Sequence, residues 1–188
     1  MRHVLTVLAL ASLPFVQGCA VIAVGAAAGS GYIIGEDRRT AAVMSEDQRT
    51  EFRFHDHVRA QHPPSHVNAT SFNRNVLLTG ETATENDKAK LEVSARDIPG
   101  VRAVYNEVKV GPNSALSARA NDTFISSKVK TRLLDSRKLN TLHIKVVTEA
   151  GVVYLLGLVT RQEANDATEI ARTTSGVQRV VRLFEYQD

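Results

Sequence analysis

The chain has 188 residues, 23 Lys/Arg against 20 Asp/Glu, and a single cysteine. One cysteine excludes an internal disulfide, and so small an excess of positive charge argues against a nucleic-acid partner. No Gly-x-Ser-x-Gly, Walker or Gly-x-Gly-x-x-Gly pattern is present, so the sequence offers no catalytic residue and implies no cofactor.

The N-terminus comes first. Met1-Arg2-His3 is a short basic start, and Val4 to Val16 is apolar apart from Thr6, Ser12 and Pro14. That core suits a signal peptide better than a membrane span, which needs about 20 apolar residues. It ends Val16-Gln17-Gly18-Cys19, which resembles the lipobox of bacterial lipoproteins. The resemblance implies cleavage after residue 18, acylation of Cys19 and a permanent membrane attachment. Ala20, where an Asp usually signals inner-membrane retention, implies the outer membrane with the body facing the periplasm. The competing reading is an uncleaved anchor, because Ala20 to Gly35 continues the apolar run, although it is Gly/Ala-rich and weak for a lipid-facing helix. Residues 19–44, including Glu36-Asp37-Arg38-Arg39, read as a lipidated N-terminus and tether.

The remainder repeats itself. Val76-Leu77-Leu78-Thr79-Gly80 matches Val153-Tyr154-Leu155-Leu156-Gly157, Ala95-Arg96 matches Ala171-Arg172, and Gly100 to Val104 matches Gly176 to Val180. Each copy predicts the order αββαβ, an α+β unit. In copy one, residues 45–112, the first helix opens at Ser45-Glu46-Asp47-Gln48 and an alternating strand follows at Val67-Asn68-Ala69. The run to Gly80 completes a hairpin, a helix starts at Thr84, and Val101 to Val110 closes the unit. In copy two, residues 113–188, the matching segments are Asn121-Asp122-Thr123, Leu142 to Val146, Val152 to Gly157, the Thr160-x-x-Glu163 capping box and Val177 to Tyr186. A helical crossover before the last strand makes each three-stranded sheet mixed. Two helices cover one face of each sheet, leaving the other face for something else. Units this small are expected to pack against each other.

An αββαβ repeat with Val-x-Leu-x-Gly and a later Gly-Val-x-x-Val resembles the BON-domain family. Asp37-Arg38-Arg39-Thr40, Tyr105-Asn106-Glu107-Val108 and Asn121-Asp122-Thr123-Phe124-Ile125 extend the resemblance over nearly the whole chain. Two copies behind a lipobox look like the dual-BON outer-membrane lipoproteins.

Two clusters could carry chemistry. His55-x-His57, with His62 and His66 downstream, has ligand-type residues, but positions two apart on a helix face different ways, so no metal site is predicted. His66 and His143 occupy matching repeat positions, which suggests strand packing. Charge is more informative. Residues 45–110 hold nine Lys/Arg and ten Asp/Glu, whereas residues 111–188 hold eleven and eight. The excess centres on Lys128, Lys130, Arg132, Arg137 and Lys138. On the same helix Ile125, Val129 and Leu133 form the core stripe, and Phe124 lies off it beside Lys128 and Thr131. Phe124 either packs against copy one or stands exposed as an aromatic wedge ringed by cations. In the latter case a helix N-terminus would add free N–H groups for phosphate.

The family resemblance favours the wedge. It implies a non-enzymatic protein that binds anionic phospholipid, phosphatidylglycerol or cardiolipin, through the second domain and supports envelope integrity. The implied contact residues are Phe124, Ile125, Lys128, Thr131 and Arg132. Outer-membrane assembly or cell-division proteins are the other partners considered. The alternative is an interaction module or holdase for outer-membrane protein assembly, binding polypeptide on the open sheet faces and the first domain.

Overall fold

The computed structural model describes residues 37–61 and 66–188. The expected signal peptide, Cys19 and most of the expected tether lie outside the described residues, as does His62. Copy one contains α1 (Ala41–Gln61), β1 (His66–Phe72), β2 (Asn75–Thr82), α2 (Glu85–Arg96), β3 (Ala103–Asn106) and β4 (Lys109–Val110). Copy two contains α3 (Leu116–Asp135), a single 3₁₀ turn (Thr141–His143), β5 (Ile144–Glu149), β6 (Val152–Val159), α4 (Arg161–Arg172) and β7 (Arg179–Tyr186). In each copy the first two strands pair antiparallel, and the last runs parallel to the central one.

The hairpins turn on two residues with left-handed backbone: Asn73 (φ 51°) and Arg74 (φ 66°), then Ala150 (φ 49°) and Gly151 (φ 73°). Such turns leave two N–H groups facing inward, and a buried aspartate from the preceding helix meets them. Asp47 accepts from the N–H of Asn73 and of Arg74 at 2.8 Å each, and from the Ser71 hydroxyl at 2.7 Å. Asp122 accepts from Ala150 and Gly151 N–H at 2.9 and 2.8 Å. This corrects the expected helix starts. Ser45–Gln48 and Asn121–Thr123 lie inside their helices, which begin earlier, because the aspartates tie helix to hairpin and do not cap.

The repeated glycine also has a local cause. A Cβ on Gly80 would sit 1.9 Å from the His66 carbonyl oxygen, and one on Gly157 would sit 2.6 Å from that of His143. The matching histidines therefore mark where the backbone of each hairpin closes on its glycine. The second helices start as read: Thr84 accepts from Asp87 N–H, and Thr160 with Glu163 forms a reciprocal capping box. Two strands differ from expectation. Leu142-His143 belongs to the 3₁₀ turn, where the Asn140 side chain accepts from Leu142 N–H at 3.0 Å. The closing strand of copy one breaks after Asn106, whose side-chain oxygen takes the Val108 N–H at 3.3 Å.

Each copy has its own core between helices and sheet, around Phe54, Val76, Leu78 and Leu91 in the first and Val129, Leu133, Val153 and Leu155 in the second. A third cluster joins Phe72 and Leu77 of copy one to Val152, Tyr154 and Leu156 of copy two. The sheet faces left open by the helices therefore close on each other, each fully buried side chain contributing about 1.5–3 kcal/mol. Polar ties frame this contact. Lys145 pairs with Glu51 at 2.7 Å, Asn73 and Asn75 each donate to Glu185 at 2.8 Å, and Tyr154 O–H donates to Glu107 at 3.3 Å. Burial first, then the Glu107 carboxylate, pushes the Tyr154 phenol up to about 12.

Asp37–Arg39 is not a free tether. Arg38 donates to Glu163 at 2.6 and 3.0 Å and to the Leu158 carbonyl at 2.9 Å, all in copy two. Arg39 pairs with Asp47 at 3.0 Å and stacks on the Phe72 ring at 3.8 Å, both in copy one. The Asp-Arg-Arg motif straps the copies together.

Candidate functional site

The face of α3 toward the sheet carries Ile125, Val129 and Leu133, each at most 1 % exposed. Turning about 100° per residue from that stripe brings Phe124 to the surface, 61 % exposed, with the Lys128 ammonium 4.7 Å from its ring centroid. Across from this face lies the C-terminal turn of α4, rich in hydroxyls: Thr173, Thr174 and Ser175. Lys128 donates to the Ser175 carbonyl and, at 3.1 Å, to its hydroxyl. Arg132 donates to the Ile170 carbonyl at 2.9 Å, Thr174 Oγ1 at 2.7 Å and Thr173 Oγ1 at 3.1 Å. Between the two helix surfaces is a groove of about 520 Å³, lined by Phe124, Ser127, Lys128, Thr131, Arg132 and Thr173 to Ser175.

No carboxylate lines this groove. Its cations are held by carbonyl and hydroxyl oxygens at the negative end of the α4 dipole, so their positions are set while their formal charge is uncompensated. An exposed aromatic next to two positioned cations can enter an apolar–polar boundary and pair with an anionic oxygen there.

Phe124, Lys128, Thr131 and Arg132 are thus brought together as read from the sequence. Ile125 is not. It is 1 % exposed and packs in the second core, because its helical phase is that of Val129 and Leu133. Packing of Phe124 between the copies is also overturned by its exposure. So is the helix N-terminus as an anion site beside Phe124: α3 starts at Leu116, so the N–H groups around Phe124 lie within the helix. Ser127, Thr173, Thr174 and Ser175 were missed; the run of three hydroxylated residues before Gly176 was the available signal.

The histidines have separate surroundings. His57 Nε2 lies 3.0 Å from Ser94 Oγ, and His55 packs edge-on to Phe54. Burial first, then the Arg119 guanidinium, holds His66 below the ordinary imidazole value. Among the described residues no group of three potential metal ligands gathers.

Two small αββαβ units, back to back by their sheets, define a tandem α+β two-domain protein with a cationic aromatic groove on the second unit. The BON-domain family model matches residues 46–112 and 121–188, and the chain belongs to that family. The chain is 34% identical to the outer membrane lipoprotein DolP of Haemophilus influenzae, over 93% of this chain and 91% of that protein. It is 28% identical to a 21 kDa hemolysin of Actinobacillus pleuropneumoniae, over 80% of this chain and 79% of the other.

Proposed function

We propose that the protein is a non-enzymatic outer-membrane lipoprotein, acylated at Cys19 and facing the periplasm, that binds anionic phospholipid through the α3–α4 groove. The observation that carries this reading is Phe124, 61 % exposed beside Lys128 and Arg132, whose hydrogen-bond partners are all neutral oxygens. Phe124 enters the headgroup region, and the cations meet the lipid phosphate, each adding about 1 kcal/mol toward an anionic surface. Similarity to an outer membrane lipoprotein over nearly the full length of both chains supports the location. Phosphatidylglycerol and cardiolipin are the headgroups of suitable charge, and envelope integrity is the process such binding serves. The holdase alternative drew on open sheet faces and the first domain; the sheet faces bury each other, which leaves it the outer surface of the first domain.

The test is cosedimentation of residues 36–188, one compact unit, with phosphatidylglycerol and with phosphatidylcholine vesicles. Binding to the anionic vesicles alone, weakened by salt and lost in a folded Phe124→Glu variant, is the expected result. Equal binding by that variant would remove Phe124 from the contact. Absence of binding by the unaltered protein would remove the lipid reading itself.

A further inference from the structure

The outer strands of the two sheets are finished differently. At β1, Ser71 N–H donates to the Glu51 carboxylate at 2.7 Å and its carbonyl accepts from Lys145 at 3.2 Å, so side chains occupy that edge at its C-terminal end. The last strand of copy one is broken between β3 and β4, its Val108 N–H taken by Asn106. Both are devices that stop a sheet from recruiting another strand.

β7 has neither. It runs unbroken for eight residues, paired with β6 on one side. Among the described residues, no side chain and no second strand bonds to the backbone of its outer edge. None of its residues is buried, whereas all of β6 except Leu158 is. The edge is also charged in one sense. Arg179 and Arg182 are exposed on the strand, and Arg161 stacks on Tyr186 at 4.9 Å where it ends. Arg182 bonds only to the neutral Asn165 side chain, at 3.1 Å. The one carboxylate within β7, Glu185, is already occupied by Asn73, Asn75 and Arg102.

We propose that β7 is a docking edge for an extended acidic polypeptide segment, which adds to the second sheet as a further strand. Main-chain hydrogen bonds along the edge supply affinity, and because Arg179 and Arg182 lie on opposite faces of the strand, carboxylates on both faces of the incoming segment meet them. The strand lies apart from the α3–α4 groove, so this binding stands or falls independently of lipid.

The probe is a short peptide of Val-Glu-Glu repeats, which carries Glu on both faces of an extended strand, with a Val-Lys-Lys counterpart, added to residues 36–188 and followed by amide hydrogen exchange. Outward β7 amides should exchange about tenfold more slowly with the Glu peptide and be unchanged by the Lys peptide. Gln187 N–H reaches the Val159 carbonyl of β6, so by two-residue alternation the N–H of Val181 faces β6 and that of Val180 faces outward. Val180→Pro should therefore abolish the protection while vesicle binding persists. If that variant does not fold, the exchange map of the unaltered protein decides alone. Protection elsewhere, or none, overturns the proposal. So does protection of β7 without peptide in a protein that sediments as a dimer, since the edge would then belong to a second copy.

Discussion

The two copies share a scaffold and differ where they meet their surroundings. Aligning the hairpin-binding aspartates, Asp47 and Asp122, puts Thr50, Phe54 and Val58 opposite Ile125, Val129 and Leu133, all buried. The outer positions diverge: Arg49 stands where copy two has Phe124, Phe52 for Ser127, Arg53 for Lys128, Asp56 for Thr131 and His57 for Arg132. Where Arg132 reaches three oxygens at the end of α4, His57 reaches a single hydroxyl on Ser94. Asp56 puts a negative charge where the groove of copy two has a threonine. The buried positions of the first helices are apolar or small in both copies, and the copies differ at a handful of surface positions.

Breaking the glycine contacts should produce the largest effects and rank the copies. Gly80→Ala drives a methyl into the His66 carbonyl, and we expect a loss of about 3 kcal/mol or more, with Gly157→Ala costing less because its contact is longer. Urea denaturation of each variant measures this, and equal costs would contradict the ordering. Next come the aspartates. Each →Ala change strands two turn N–H groups, at about 2 kcal/mol for Asp122 and about 3 kcal/mol for Asp47, which also holds Ser71 and Arg39. Charge reversal sharpens the functional contrast. Lys128→Glu should weaken anionic-vesicle binding about tenfold, whereas Arg53→Glu at the matching place in copy one should change it by less than about twofold.

The smallest effect expected is acid sensitivity of the strap. Burial pushes the Glu163 carboxyl up, but hydrogen bonds from Arg38 and the Thr160 backbone outweigh it and hold the carboxyl below its ordinary value. A carboxylate lowered on folding stabilises the protein above its unfolded value and loses that contribution as pH falls through the folded one. Stability supplied by this pair should therefore fade on acidification below about pH 4.5. Arg38→Ala should remove about 1 kcal/mol or less near neutral pH and flatten the decline in acid, as followed by chemical denaturation at several pH values.

What was legible in the sequence was local. Val-x-Leu-x-Gly marks β2 and β6 because the glycine is dictated by a carbonyl across the hairpin, and Thr160-x-x-Glu163 marks α4 because the cap is made within four residues. The αββαβ order and the cationic face of α3 followed from periodicity. The function of Asp47 was not legible, since its partners Asn73 and Arg74 lie 26 and 27 residues away and an aspartate near a helix start looks like a cap. The far wall of the groove was hidden for the same reason: Arg132 meets Thr173 and Thr174 across 41 and 42 residues. Ile125 was misplaced by motif, although its phase on the helix already put it in the core. That the two open sheet faces would cover each other depended on which side chains of β1, β2 and β6 share a face, and the repeat pattern alone is silent on that.

The strap also sets how the body bears load. Tension along the chain from the N-terminal side reaches Arg38 before it reaches α1, and Arg38 is fixed to Glu163 and Leu158 of copy two while Arg39 is fixed to Asp47 and Phe72 of copy one. A pull therefore loads several bonds in parallel across both copies instead of peeling α1 from its sheet one turn at a time. On this geometry the two arginines are placed as a strain relief ahead of the first helix.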